Sequence, residues 1–118
     1  IVTVGEGTSI HAGVIIPPDS EIGNFVCINT GSQIGHDCKI KDFVSIMSGV
    51  NVSGDIIIEK GAYIASGAAV RDDIKIGKWS VIGIGSAIGN DVKPYSIYLG
   101  NPGIFIRKIE DEKKRPKL

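Results

Sequence analysis

The sequence has little of what marks several large classes of protein. Lysine plus arginine and aspartate plus glutamate are equal, at 13 residues each. Because the charges balance, no overall field favours nucleic acid or an anionic membrane, and we predict neither partner. No apolar run approaches the roughly 20 residues of a membrane-spanning helix, and no signal-peptide pattern opens the chain. We therefore expect a cytoplasmic protein.

Cysteine and histidine are also scarce, with two of each. Cys27 and Cys38 match no metal-binding or redox motif, so we expect two free thiols. Two histidines are too few for a three-histidine zinc site, and we predict no metal. The length of 118 residues suits one domain. Because the first residue is Ile1 rather than methionine, we expect a fragment of a longer protein.

What the sequence has is a repeat. An aliphatic residue recurs at every sixth position, and a second position, four residues after each aliphatic one, never carries a charge. A period of six fits neither a helix nor simple strand alternation, but short strands separated by regular turns produce it. The fifteen aliphatic positions are Val4, Ile10, Ile16, Ile22, Ile28, Ile34, Ile40, Ile46, Val52, Ile58, Ile64, Val70, Ile76, Ile82 and Ile88.

This pattern predicts an all-β solenoid. The six-residue repeats resemble those of the hexapeptide-repeat acyltransferases, and that resemblance implies a left-handed parallel β-helix with three repeats in each triangular coil. Fifteen repeats then make five coils. We expect the β-helix to occupy residues 1–93. Residues 94–118 should form a C-terminal cap and tail, because a terminal coil leaves backbone groups unpaired.

Residues 18 positions apart stack in columns at the corners of such a coil. One corner column is small and uncharged, and we interpret it as a surface covered by another subunit of a homotrimer. The cleft beside such an interface could admit a long, thin ligand. The column consists of Ala12, Thr30, Ser48, Ser66 and Ile84.

Two stretches carry a closer resemblance. "INTGSQIGHDCKIKDFVSI" (28–46) and "LGNPG" (99–103) resemble the markers of the sialic acid O-acetyltransferases and the bacterial nucleotide-amino-sugar N-acetyltransferases. The resemblance implies that His36 is the general base, that Asp37 supports it, and that Asn29 lies in the same cleft. Ser45 stands where many relatives have a second histidine, and we assign it to the substrate side. In the second marker, Gly103 replaces an alanine.

The chemistry suits these assignments. An amine or hydroxyl that attacks a thioester loses a proton, and histidine, with an unperturbed pKa near 6.5, is suited to accept it. The resemblance and the corner columns together place the pantetheine of acetyl-CoA beside Gly54 of one subunit and Ser66 and Ile84 of the next. The backbone N–H of Gly54 could meet the thioester oxygen.

The sequence thus predicts an acetyltransferase that uses acetyl-CoA as co-substrate and a sugar or nucleotide sugar as acceptor. Transfer should be direct, because no activated serine or cysteine nucleophile is evident. Two alternatives stay open. One is a hexapeptide scaffold that serves only trimeric assembly, and the other is an acyltransferase for a non-sugar acceptor such as an amino acid.

Overall fold

The computed structural model describes residues 1–110, and every regular element in that range is a β-strand. No helix there is long and apolar enough to cross a membrane. The strands are β1 (Thr3–Val4), β2 (Ser9–Ile10), β3 (Glu21–Ile22), β4 (Cys27–Ile28), β5 (Gln33–Ile34), β6 (Lys39–Ile40), β7 (Ser45–Ile46), β8 (Asn51–Val52), β9 (Ile57–Ile58), β10 (Tyr63–Ile64), β11 (Ala69–Val70), β12 (Lys75–Ile76), β13 (Val81–Ile82), β14 (Ala87–Ile88), β15 (Ser96–Leu99) and β16 (Ile104–Lys108).

These strands build three sheets, one for each side of a prism. Sheet 1 has the order β1-β3-β6-β9-β12, sheet 2 the order β2-β4-β7-β10-β13-β15-β16, and sheet 3 the order β5-β8-β11-β14. From β1 to β14, paired strands are parallel and 18 residues apart, as in the pairing of Ile46 with Ile64 and of Ile64 with Ile82. The predicted all-β fold of about five coils is confirmed, and the architecture is consistent with a left-handed β-helix.

The repeated aliphatic residues form the core. In sheet 2, Ile28, Ile46, Ile64 and Ile82 have no exposed surface and stack directly on one another. The second restricted position also points inward, where small polar side chains bind backbone carbonyls. Ser32, for example, donates from Oγ to the carbonyl of Met47 at 2.7 Å.

The corners are four-residue turns with a recurring conformation. From Gly7 to Gly85, the second central residue of each turn has positive φ, between 54° at Phe25 and 74° at Gly31. In several turns the fourth residue donates to the carbonyl of the first, as Ser32 does to Asn29 at 3.3 Å. Positive φ at this place is typical of a type II turn and favours Gly, Asn or Asp.

Each corner carries a different set of side chains. The corner between sheets 1 and 2 holds the stacked rings of Phe25 and Phe43, whose centroids are 5.6 Å apart. The corner between sheets 2 and 3 holds the uncharged column that includes Ser66 and Ile84. The corner between sheets 3 and 1, called the histidine corner below, holds His36.

The last coil is shorter than the others. Val92 pairs with Ile76 and Ile97 with Val81, so partners there are 16 residues apart instead of 18. The Asp91 side chain accepts the backbone N–H of Lys75 at 2.9 Å and so replaces a backbone partner.

The chain then adds a hairpin to sheet 2. Strand β15 extends the sheet in parallel, and β16 returns antiparallel to it. Ile109 is buried against Val81 and Ile97. The segment expected to cap the last coil therefore pairs with one side of the prism, and the rest of the predicted tail, residues 111–118, lies outside the described residues.

Candidate active site

His36 is the first central residue of its turn on the histidine corner, between β5 and β6. Its side chain is 69% exposed, so this imidazole belongs to the surface and not to the core. An exposed imidazole at a corner can reach a ligand that lies along the prism.

Asp37, the next residue in the turn, contacts the imidazole. Its Oδ2 lies 3.1 Å from Nδ1 of His36. A carboxylate only accepts hydrogen bonds, so Nδ1 carries a proton in this contact, and in the neutral imidazole Nε2 is then the nitrogen with a free lone pair. The arrangement leaves Nε2 able to take a proton from a substrate.

Gly54 lies directly above His36, one coil further along the chain. A Cβ atom at Gly54 would fall 2.3 Å from Nε2 and 2.6 Å from both Cδ2 and Cε1. The position therefore has to be glycine for the ring to keep this orientation. The sequence assigned Gly54 to cofactor binding, and the structure adds this steric role beside the imidazole.

Cys38 is the buried last residue of the same turn, and its side chain contacts backbone carbonyls. The residue is 1% exposed, and its Sγ donates to the carbonyl of Ser53 at 3.1 Å and lies 3.7 Å from the carbonyl of His36. Burial raises the pKa of this thiol above its ordinary value, and the charges of Asp55 and Asp37 add to the effect.

We expect Cys38 to resist alkylation while the protein is folded. The thiolate is the reacting form, and because the pKa is raised, less thiolate is present at any pH near neutrality. With iodoacetamide at pH 8, mass spectrometry should find one label on the native protein, at Cys27, and two after denaturation. The Cys27→Ser variant should take up no label while native. Equal reaction rates of the two thiols in the folded protein would contradict the expectation.

Asn29 and Ser45 lie on a different side of the prism. Ser45 is on the outward face of β7, and Asn29 follows β4, so both belong to sheet 2. The Asn29 Oδ1 atom accepts the backbone N–H of Thr30 at 2.7 Å. Because sheet 2 faces away from the histidine corner, one chain alone does not bring these side chains to His36.

Ser66 and Ile84 are likewise separated from His36 within the chain. They lie on the corner between sheets 2 and 3, and Ile84 is 68% exposed. An isoleucine this open to solvent is compatible with cover by a ligand or another subunit.

A groove begins next to Gly54 and follows the outer face of sheet 3. It has a volume of about 390 Å³, and Ser53, Ala69, Arg71 and Ile88 are among its lining residues. The loop that contains Asn101 and Pro102 also lines this groove. A larger groove, of about 560 Å³, lies on sheet 1 near the C-terminal hairpin, and His36 lines neither of these two grooves.

The "LGNPG" marker belongs to that loop. The backbone N–H of Gly103 donates to the carbonyl of Ala87 at 2.8 Å, and a Cβ there would meet Cδ1 of Ile88 at 2.6 Å. Glycine thus lets the loop lie close against the last coil, and an alanine would require the Ile88 side chain to move.

Sequence reasoning missed two neighbours of the histidines. Asp55 Oδ2 lies 4.0 Å from Nδ1 of His36, and His11 Nε2 lies 3.9 Å from Sγ of Cys27. The 18-residue period could have signalled both contacts, because each pair is separated by nearly one coil.

His36, Asp37 and Asp55 are also the one group of potential metal ligands within residues 1–110. Their ligand atoms lie within 4.8 Å of one another, but all three side chains are exposed. The histidine nitrogen in this group is already paired with Asp37.

Comparison with known proteins identifies the class of fold. No protein-family model matches the sequence, and a comparison with curated proteins finds no match. Several of the similar solved structures are hexapeptide-repeat acetyltransferases of the sugar N-acetyltransferase group, so the resemblance predicted from the sequence is confirmed.

Three of these structures illustrate the range. WeeI from Acinetobacter baumannii is 31% identical, over 90% of this chain and 52% of its own, with a TM-score of 0.87. A histidine-to-asparagine variant of perosamine N-acetyltransferase from Caulobacter crescentus, in complex with CoA and GDP-perosamine, is 28% identical over 91% of this chain and 51% of its own, with a TM-score of 0.89. A serine acetyltransferase in complex with CoA is 31% identical over 79% of this chain and 41% of its own, with a TM-score of 0.74.

The chain thus spans about half the length of the first two. The complexes hold CoA, and one further similar structure holds acetyl coenzyme A.

Proposed function

We propose that the protein transfers the acetyl group of acetyl-CoA directly to an amine or hydroxyl of a sugar, free or nucleotide-linked. The observation that carries the proposal is the pairing of Nδ1 of His36 with Asp37 beside Gly54, which in the neutral imidazole leaves the lone pair of Nε2 free. The similar acetyltransferases, one of them bound to CoA and GDP-perosamine, support the cofactor and the class of acceptor.

In this mechanism Nε2 of His36 acts as the general base. The acceptor nitrogen or oxygen attacks the thioester carbonyl carbon while Nε2 removes its proton. Asp37 stabilises the resulting imidazolium. The tetrahedral intermediate then collapses, the bond between carbon and sulfur breaks, and the imidazolium returns the proton to the CoA thiolate.

The proposed site requires more than one copy of the chain. Asn29 and Ser45 on sheet 2, and Ser66 and Ile84 on the neighbouring corner, reach His36 only if a second prism packs beside the histidine corner. We therefore propose a homotrimer with sites between subunits, in which the uncharged corner column contributes to the contact. Light scattering at micromolar concentration should give a mass of three chains, and a stable monomer would remove the shared site.

A serine acetyltransferase among the similar structures favours a second candidate, transfer to a hydroxyl of an amino acid. The two candidates use the same base and the same cofactor, and they differ only in the acceptor. The remaining alternative, a scaffold without activity, has no reason to bind CoA.

One experiment separates the three. CoA binding is measured by isothermal titration calorimetry, and release of the CoA thiol from acetyl-CoA is then followed with amino sugars, nucleotide sugars and serine as acceptors. Thiol release with a sugar supports the main proposal, and release with serine alone supports the second. If the protein does not bind CoA, the scaffold without activity is the alternative that remains.

Binding of the cofactor gives a further prediction, for Ser66→Trp. If pantetheine passes the uncharged corner, an indole there should block it and abolish detectable CoA binding. Because Ser66 is exposed, stability should stay within about 0.5 kcal/mol of wild type, as for other surface changes. Calorimetric titration and thermal unfolding measure the two effects.

Glu6→Trp is the matched control, since Glu6 has the same turn position on the corner between sheets 1 and 2. It should bind CoA as wild type does. Normal CoA affinity in Ser66→Trp would contradict the proposed cofactor path.

A further inference from the structure

The histidine corner has an aspartate in the same place in four consecutive coils. Asp19, Asp37, Asp55 and Asp73 are all second central residues of their turns, with φ between 54° and 64°. Aspartate tolerates this conformation, so the turn alone could explain its presence. A role beyond the turn therefore has to come from what each side chain contacts.

Two of the four carboxylates face the same imidazole nitrogen. Nδ1 of His36 lies 3.1 Å from Oδ2 of Asp37 and 4.0 Å from Oδ2 of Asp55. The backbone N–H of Asp55 also donates to the carbonyl of His36 at 2.8 Å, which ties the two residues together across successive coils. No ion pair between His36 and Asp19 or Asp73 occurs within residues 1–110.

We propose that Asp55 is a second positioning carboxylate for His36. The assignment rests on the proposed function, in which Nε2 accepts the substrate proton. When it does, the imidazolium carries its positive charge between two carboxylates, one within its own turn and one from the next coil. Asp55 holds the ring over Gly54 with Nδ1 toward the acids, and it does not touch the substrate.

If two carboxylates face one nitrogen, each should partly compensate for the loss of the other. In Asp37→Asn, Asp55 still faces Nδ1, and in Asp55→Asn, Asp37 does. We expect each single change to lower kcat by about threefold to tenfold. The double change should lower kcat by at least about twofold more than the product of the two single losses, because the effects of residues in one network are not additive. KM for acetyl-CoA should stay near wild type in all three variants.

Asp73→Asn is the matched control, because φ at Asp73 is 59° against 57° at Asp55 and asparagine accepts the same turn conformation. It should leave kcat unchanged. A second control places Asp55→Asn in the His36→Ala background, where it should have no further effect because Asp55 acts through the histidine. All rates are measured with and without EDTA, since the three groups could also hold a divalent cation.

The outcomes are distinct. If His36→Ala itself keeps full activity, the proposed function fails. If His36→Ala is inactive but the losses in the two aspartate variants simply multiply, or Asp73→Asn is as damaging as Asp55→Asn, the role of Asp55 is wrong. Activity that disappears in EDTA would also overturn it, because a cation would then occupy the nitrogen assigned to the carboxylates.

Discussion

Replacing His36 with alanine is expected to lower the rate of acetyl transfer by about 10²- to 10⁴-fold, the usual effect of removing a general acid or base. The affinity for CoA should stay near wild type, because in the proposed mechanism the imidazole acts only on the proton of the acceptor. Steady-state kinetics with an accepted sugar and calorimetric titration with CoA measure the two quantities.

His11→Ala is the control, since it removes the other histidine of the sequence. It should keep the activity of wild type. Full acetyl transfer by His36→Ala would show that the histidine is not the base and would return the protein to the scaffold alternative.

Replacing Ile64 with aspartate is expected to prevent folding. Ile64 has no exposed surface and lies in the middle of sheet 2, paired with Ile46 and Ile82. The change loses the roughly 1.5 to 3 kcal/mol of a buried aliphatic side chain, and burying an unpaired carboxylate costs several kcal/mol more. Together these approach the whole stability of a typical domain, about 5 to 15 kcal/mol.

Circular dichroism and thermal unfolding test this expectation. Ile15→Asp serves as the control, because Ile15 is 59% exposed and points away from the core. That variant should fold. A soluble, β-rich Ile64→Asp protein with unchanged melting would contradict the inward register of the six-residue repeat.

The period of the sequence made the fold predictable. Because inward aliphatic residues recur every six positions, three sheets and an 18-residue register follow once each coil has three sides. The positions of the turns were also predictable, because Gly and Asp supply most of the residues with positive φ. Phe25, Phe43 and Trp79 also have positive φ at this position, a conformation that bulky residues rarely adopt.

The end of the repeat could not be predicted in the same way. Val92 lies four residues after Ile88 and so continues the second series of the six-residue pattern. It nevertheless pairs with Ile76, whose partner in the 18-residue register would be residue 94. The shortening depends on the Asp91 side chain taking the place of a backbone acceptor, and a pattern of aliphatic residues carries no information about such a contact.

The candidate site was predictable in part. Asp37 adjoins His36 in the sequence, so its contact with the imidazole could be expected. The contact with Asp55 depends on the rotamer of His36, and that rotamer is possible because Gly54 leaves room for the ring. Spacing alone puts Asp55 nearby without saying which way the imidazole points.

The fixed register of 18 residues has a consequence for how such a protein can change length during evolution. Insertion of one residue within a strand would turn its inward side chain toward solvent, as a slip of one residue does in any strand. The last coil tolerates a loss of two residues, with the Asp91 side chain in place of a backbone partner. A change that keeps the 18-residue register is a gain or loss of a whole coil, and one that falls after His36 moves the C-terminal hairpin by about 4.8 Å relative to that residue. The distance between His36, the proposed base, and the C-terminal end of the sheet 3 groove therefore changes in steps of one coil when the register is kept.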